Sequence, residues 1–221
     1  MKKIVISLNQ KSVEQAVNYL KNLRRNIKRM MNEFLEFACE WLIERANLYI
    51  ETSDIGDLVK MQLQNAWSYS ITDGRAQISN SLNVTKNIGY GDNRTSETIP
   101  LSALIEFGVG VVGQSAPHPN AKSEGYEYNK DSESKSYDGS WTFFTDSAEL
   151  DLPTDALVAH NWYRGSRGKG GEGGQRLLVM TRGTKGVMYA FNALVDAQID
   201  LQNPNGDFAT EWAKIKERYM V

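Results

Sequence analysis

From Ser12 to Ile50 the chain contains neither glycine nor proline. Along that run Val13, Ala16, Leu20, Leu23, Ile27, Met30, Phe34, Phe37 and Trp41 recur three or four residues apart, and the pattern skips Glu44 to resume at Leu48. Apolar residues at that spacing line one face of an α-helix. Ser12 offers an N-cap, and Gln15 three residues later completes a capping-box spacing. The spacing therefore predicts a helix over 12–50, about 60 Å long at about 1.5 Å per residue. That exceeds the core of one small domain, so the helix either protrudes or bends around a partner. Met31, Leu35, Leu42, Ala46 and Tyr49 add a second stripe, so its C-terminal half is expected to pack on the body of the protein.

The charges on this helix are segregated. Residues 11–30 carry Lys11, Lys21, Arg24, Arg25, Lys28 and Arg29 against Glu14, a net +5. Residues 31–54 carry Glu33, Glu36, Glu40, Glu44, Glu51 and Asp54 against Arg45, a net −5. An isolated helix favours the opposite order, with acids near its N-terminus and bases near its C-terminus. The arrangement thus does little for the lone helix and suits a charged neighbour. It makes Arg24, Arg25, Lys28 and Arg29, with Glu36, Glu40 and Glu44, candidate subunit or partner contacts.

Asp54 and Gly56 break the helix. Residues 58–84 look strand-like, with Trp67, Tyr69 and Ile71 in alternation. Thr72-Asp73-Gly74-Arg75 suits a hairpin turn, because Asp-Gly readily takes positive φ, and Arg75 to Leu82 would return. Residues 85–99 read as polar loop, 101–109 as a further strand, and 113–139 as a long surface loop. Short strands are expected at 2–8, 140–145, 156–163 and 175–181. Residues 165–174 hold six glycines, which marks 164–175 as a flexible loop. Val187 to Leu201 carries a second helical pattern. Asn203-Pro204-Asn205-Gly206 ends it, and a terminal amphipathic helix follows with Asp207 as its N-cap candidate. A helix, a run of antiparallel strands and then helices argue for an α+β fold, with the long helix packed on an antiparallel sheet. On this reading residues 1–202 form one domain and 203–221 a helical extension.

Composition excludes several function classes. The 221 residues carry 25 Lys+Arg and 27 Asp+Glu, so the chain is no bulk polycation, although a local basic patch is allowed. A single cysteine, Cys39, excludes a disulfide framework and a Cys-rich zinc fold. No apolar run reaches the roughly 18 residues of a membrane span. The apolar stretch near the N-terminus is shorter than a signal peptide's core, so a cytoplasmic location is expected.

The catalytic motifs lack their contexts. Gly108, Gly110 and Gly113 match the spacing of a dinucleotide-binding turn, but Pro117 and Pro119 oppose the helix that must follow. The Gly-rich segment after Tyr163 lacks the P-loop spacing, since Gly170 follows Lys169. His118 and His160 have no His or Cys neighbour at ligand spacing. No nucleophile elbow is present, and Cys39 within the long helix suits a small buried hydrophobe. No enzyme, cofactor or metal site is expected. Arg164, Arg167, Lys169, Arg176, Arg182 and Lys185 do cluster in 162–186 against Glu172, net +5, beside Trp162 and Tyr163. These are candidate contacts to DNA or a partner, and a nucleic-acid-binding module built on them is the alternative function.

The stretch from Ala103 through Glu106-Phe107-Gly108-Val109-Gly110 to Pro117-His118-Pro119 resembles the signature of a neck-protein family of long-tailed bacteriophages, the head–tail joining or tail-completion proteins. Asp54-Ile-Gly56-Asp-Leu58 is similar to that family's motif after the first helix. Gly139-Ser-Trp141 and Thr184-Lys185-Gly186 with Met188-Tyr189 resemble two later ones, in the same order. Val109 stands where Thr is usual, and the proline before the last helix is absent. The resemblance covers residues 12–200. It implies a non-catalytic α+β protein that acts as copies arranged in a ring around the DNA channel. Its partners would be further copies of itself, the portal-side connector or adaptor, and tail terminator or tail tube proteins. Contact with packaged DNA would be non-specific, with no membrane and no small-molecule substrate. Its location would be the host cytoplasm during assembly and then the virion neck. Within the motifs, Asp54, Gly56, Glu106, Phe107, Gly108, Gly110 and Gly113 are expected to determine the fold, with Glu106 at a strand end satisfying backbone or Arg groups.

Overall fold

The computed structural model describes residues 10–88, 95–126, 128, 141–146, 162–169, 175–181 and 183–219. The fold is α+β. Helix α1 (Gln10–Glu51) is followed by α2 (Asp57–Asn65) and the hairpin β1 (Trp67–Thr72) and β2 (Arg75–Asn80). A second hairpin, β3 (Val84–Ile88) and β4 (Thr95–Ile99), leads into α3 (Leu101–Phe107), β5 (Gly108–Val109) and α4 (Gly110–Ser115). Then come β6 (Trp141–Asp146), β7 (Trp162–Lys169), β8 (Gln175–Thr181), β9 (Gly183–Lys185), and the helices α5 (Tyr189–Gln202) and α6 (Asp207–Tyr219). The chain divides into two compact units: residues 1–44, 69–79 and 194–221, and residues 45–68 and 80–193.

In the first unit the aromatic stripe of α1 meets α6. Trp41 and Phe208 are buried with Ala197, and Phe34, Phe37, Ala38 and Leu42 pack against them. Phe208 lies edge-on to Phe34 and Phe37 at ring separations of 6.0 and 5.7 Å, and Trp212 lies 5.2 Å from Phe34. Such tilted pairs add to the area term that dominates aromatic burial. The terminal helix is therefore part of this core. Asp207 is the first residue of α6, and the carboxylate of Asp200 caps the helix. It accepts the Asp207 and Phe208 amides at 3.0 and 2.9 Å. A Cβ on Gly206 would stand 2.7 Å from the Asp200 carbonyl oxygen, so the approach needs glycine. Asp207 instead accepts the Trp41 indole N–H at 2.9 Å.

The hairpin β1–β2 falls mostly in the first unit, and the second unit holds the other described sheets. β3 and β4 pair antiparallel from Val84↔Ile99 to Ile88↔Thr95, and β5 pairs with β9 as Gly108↔Lys185 and Val109↔Thr184. β8 lies between β6 and β7, antiparallel to both. The β1–β2 turn is as expected, with Asp73 and Gly74 at φ 51° and 75°, the backbone twist such hairpins favour.

Several expectations are corrected. Residues 101–107 are helix, not strand: Ser102 and Glu106, four apart, are both buried, and a seven-residue apolar run cannot be assigned by periodicity alone. Residues 57–65 are also helix, rich in the straight-chain formers Leu, Lys, Met and Gln. The supposed loop 85–99 contains the β3–β4 hairpin, whose Val, Ile and Thr residues suit strands. Helix α4 takes the start of the expected 113–139 loop, and β7 runs through Lys169, so 164–169 are strand. The described helix already includes Gln10, so Ser12 is not its N-cap. The strand expected at 2–8 and most of the one at 156–163 lie outside the described residues.

Candidate functional site

The residues that the motif brings together surround the Glu106 carboxylate, at the C-terminal end of α3. Gly108 terminates that helix at φ 81°, a left-handed conformation that glycine adopts without steric cost. The chain returns after β9 alongside it. The Val187 and Met188 amides donate to the Ile105 and Glu106 carbonyls at 2.8 and 3.2 Å. A Cβ on Gly186 would lie 2.8 Å from the Phe107 carbonyl oxygen, so only glycine permits this approach. The return aims the start of α5 at Glu106.

Glu106 is 8% exposed and His118 5%. The carboxylate accepts three hydrogen bonds: from the Ala190 amide at Oε2 (2.9 Å), from the Phe191 amide at Oε1 (3.0 Å), and from His118 Nε2 at Oε1 (3.1 Å). The Asn120 amide donates to His118 Nδ1 at 3.0 Å, which makes Nδ1 the acceptor and places the ring proton on Nε2. A neutral imidazole thus binds an ionised carboxylate, and that carboxylate caps the N-terminus of α5, where negative charge is favoured. One side chain ties together α3, the turn at 118–120 and α5.

Aromatic rings seal the pair. Phe107 stacks on Tyr126 at 4.6 Å and lies 4.5 Å from the His118 ring, whose other neighbour is Phe191 at 5.1 Å. The Tyr126 hydroxyl donates to the Gly108 carbonyl at 2.6 Å, and the Tyr128 hydroxyl accepts the His118 amide at 2.6 Å. Deeper in the unit, Tyr189 donates to the Ser102 carbonyl at 3.1 Å. Burial, and then the Glu106 charge, push the Tyr189 phenol well above its ordinary range.

A carboxylate–imidazole pair can orient a general base, but that role needs the second ring nitrogen to face a reacting group. Here Nδ1 takes a backbone amide, so the pair holds structure. Cys39 is buried in α1, and burial followed by Glu40 and Glu36 pushes its thiol up, against thiolate chemistry. Among the described residues no group of three or more His, Cys, Asp or Glu is placed to hold a metal ion. No described helix is long and apolar enough to cross a membrane.

The other singled-out residues fall elsewhere. Gly110 opens α4 and Gly113 is buried within it. That six-residue helix does form before Pro117, but a helix rather than a strand precedes the turn, so the dinucleotide context is still missing. Gly56 precedes α2 and its carbonyl accepts the Val59 and Lys60 amides, while Asp54 lies in the α1–α2 junction. Arg24, Arg25, Lys28, Arg29, Glu36, Glu40 and Glu44 are all exposed on α1. Arg164, Arg167 and Lys169 lie on β7, Arg176 on β8, and Lys185 is exposed on β9; Arg182 lies outside the described residues. Sequence reasoning weighed His118 as a metal ligand and not as a partner of Glu106, because it lies twelve positions further on, beyond β5 and α4, and no period links the two. It named Gly186 only as part of a motif and missed Asp200; both matter through contacts the fold creates. No protein-family model, curated protein or solved structure matches the chain.

Proposed function

We propose that this chain is a structural protein of long-tailed bacteriophage assembly, which joins head and tail or completes the tail at the neck as copies around the DNA channel. The observation that carries the reading is the N-terminal half of α1. Over residues 11–29 all but Ser12, Ala16, Leu23 and Asn26 are exposed, including Val13, Val17, Leu20 and Ile27. A helix that leaves large apolar side chains in water is suited to burial by a partner. Arg25 and Arg29 share a helix face with Glu36 and Glu40, since steps of four and seven residues return to the same side of a helix with about 3.6 residues per turn. That ladder of opposite charge favours docking against a complementary surface. The Glu106 motif serves as a fold lock, in keeping with the non-catalytic role that the phage resemblance implies. Partners on this reading are further copies, the portal-side connector and tail terminator or tail tube proteins.

Electron microscopy of particles from a producing phage or induced prophage lacking this gene tests the proposal. DNA-filled heads beside unattached or abnormal tails are expected. Complete, infectious virions would overturn it.

A second reading, nucleic-acid binding, draws on β7 and β8. Their register sets Gly168 against Arg176 and Arg167 against Leu177, which gathers four of the six basic residues onto one antiparallel pair. It predicts duplex affinity whose logarithm falls with log salt at a slope of about −0.9 per phosphate contact. Salt-insensitive affinity would remove it.

A further inference from the structure

α1 carries two apolar stripes in its N-terminal half. Ala16, Leu23 and Met30 are buried or half-buried within their own unit. The other stripe runs Val13, Val17, Leu20, Arg24, Ile27, Met31, and every member is exposed, Leu20 at 57% and Ile27 at 47%. Its steps alternate four and three residues, the seam of a two-stranded coiled coil.

The seam reads alike from both ends. In an antiparallel pair of α1 helices, Val13 faces Met31, Val17 faces Ile27 and Leu20 faces Arg24, each pairing occurring twice about a two-fold axis. Arg24 would meet its own copy in a parallel pair; here its aliphatic stem lies along Leu20 and its guanidinium reaches water. Of the flanking positions, the same register brings Glu14 beside Lys28 of the other copy, an opposite-charge pair made twice that helps fix orientation, and Lys21 beside its own copy, a like-charge pair that salt screens. We infer that residues 13–31 form a self-pairing surface whose occupant is a second copy of this chain, antiparallel and isologous. This goes beyond the neck reading and does not rest on it: a two-fold pair closes at two copies and is not the contact of a ring, so the seam would open before the same stripe met a neck partner, and it can pair in a chain that never assembles at a neck.

The surplus basic charge of residues 11–30 gives the pairing a signature. Repulsion between two like-charged helices is screened by salt, so self-pairing tightens as salt rises, whereas docking on an acidic partner weakens. The test is sedimentation equilibrium of the full chain. Salt is raised from about 0.01 M, where the screening length is about 30 Å, to about 0.15 M, where it is about 8 Å. A dimer whose dissociation constant falls several-fold over that range is expected. Leu20→Glu changes a solvent-facing side chain, so it should keep the native circular dichroism and sediment as a monomer. Lys21→Cys should cross-link to its own copy with a short bismaleimide, well above the unsubstituted chain, and Val17→Cys, which would face Ile27, should not. A wild-type monomer at all concentrations, a dimer indifferent to Leu20→Glu, or cross-linking through Val17→Cys instead of Lys21→Cys would each overturn the inference.

Discussion

Glu106 accepts two helix-terminal amides and an imidazole N–H in a site that water scarcely reaches. Hydrogen bonds to a charged group contribute about 1.5–3 kcal/mol, and a buried donor left without its acceptor costs as much again. Glu106→Gln keeps the shape but sets an NH2 against donors. It is expected to destabilise the protein by about 2–3 kcal/mol, read as a lower urea midpoint at unchanged slope. Tyr189 adds a pH dependence. Its phenol is held protonated by burial and by Glu106, so the folded state keeps a proton that the unfolded chain releases near pH 10. Its contribution is present below that pH and is lost as pH rises beyond it, at up to about 1.4 kcal/mol per pH unit. Tyr189→Phe loses the bond to the Ser102 carbonyl and should cost about 1 kcal/mol at pH 7. Denaturant titrations from pH 9 to 11.5 should show its deficit shrinking as the wild type weakens.

At the scale of elements, helix ends carry much of the organisation. α5 is capped by Glu106 from α3, and α6 by Asp200 from α5. Each cap lies outside the helix it serves, where capping patterns read along the sequence do not look. Asp200→Ala should cost about 1–2 kcal/mol, the usual size of a lost N-cap, and should lower the thermal midpoint without changing the helical signal at low temperature. The same logic explains the largest misreading. Leu101 to Phe107 has the apolar content of a buried strand, and Ser102 and Glu106 make sense four apart only once Asn80 and α5 are in place to receive them. By contrast, α1 was legible because 42 residues of sustained period outvote any local ambiguity, and the β1–β2 turn because Asp-Gly dictates its own backbone.

For the whole molecule, the charge segregation of α1 makes a prediction about assembly. Reversing Arg24, Arg25, Lys28 and Arg29 to Glu changes exposed side chains, so the fold should survive while docking into particles weakens. Comparing incorporation of the variant and wild-type chains into purified particles checks this, and equal incorporation would make the segregation incidental. What the sequence determined by itself were features written in neighbouring residues: the long helix and its charge halves, the β1–β2 turn, the strands at 141–146 and 175–181, and the α+β class. Their causes act over a few residues, through period, propensity and backbone freedom. Only the tertiary structure decided that residue 106 ends a helix, that His118 supplies its carboxylate with a proton donor, that Gly186 and Gly206 admit a crossing backbone, and that α6 completes the core of α1. Apart from Gly206, which meets Asp200 six residues earlier, those depend on groups brought together across 12 to more than 160 residues, and contacts at such separations leave no periodic trace in the chain that makes them.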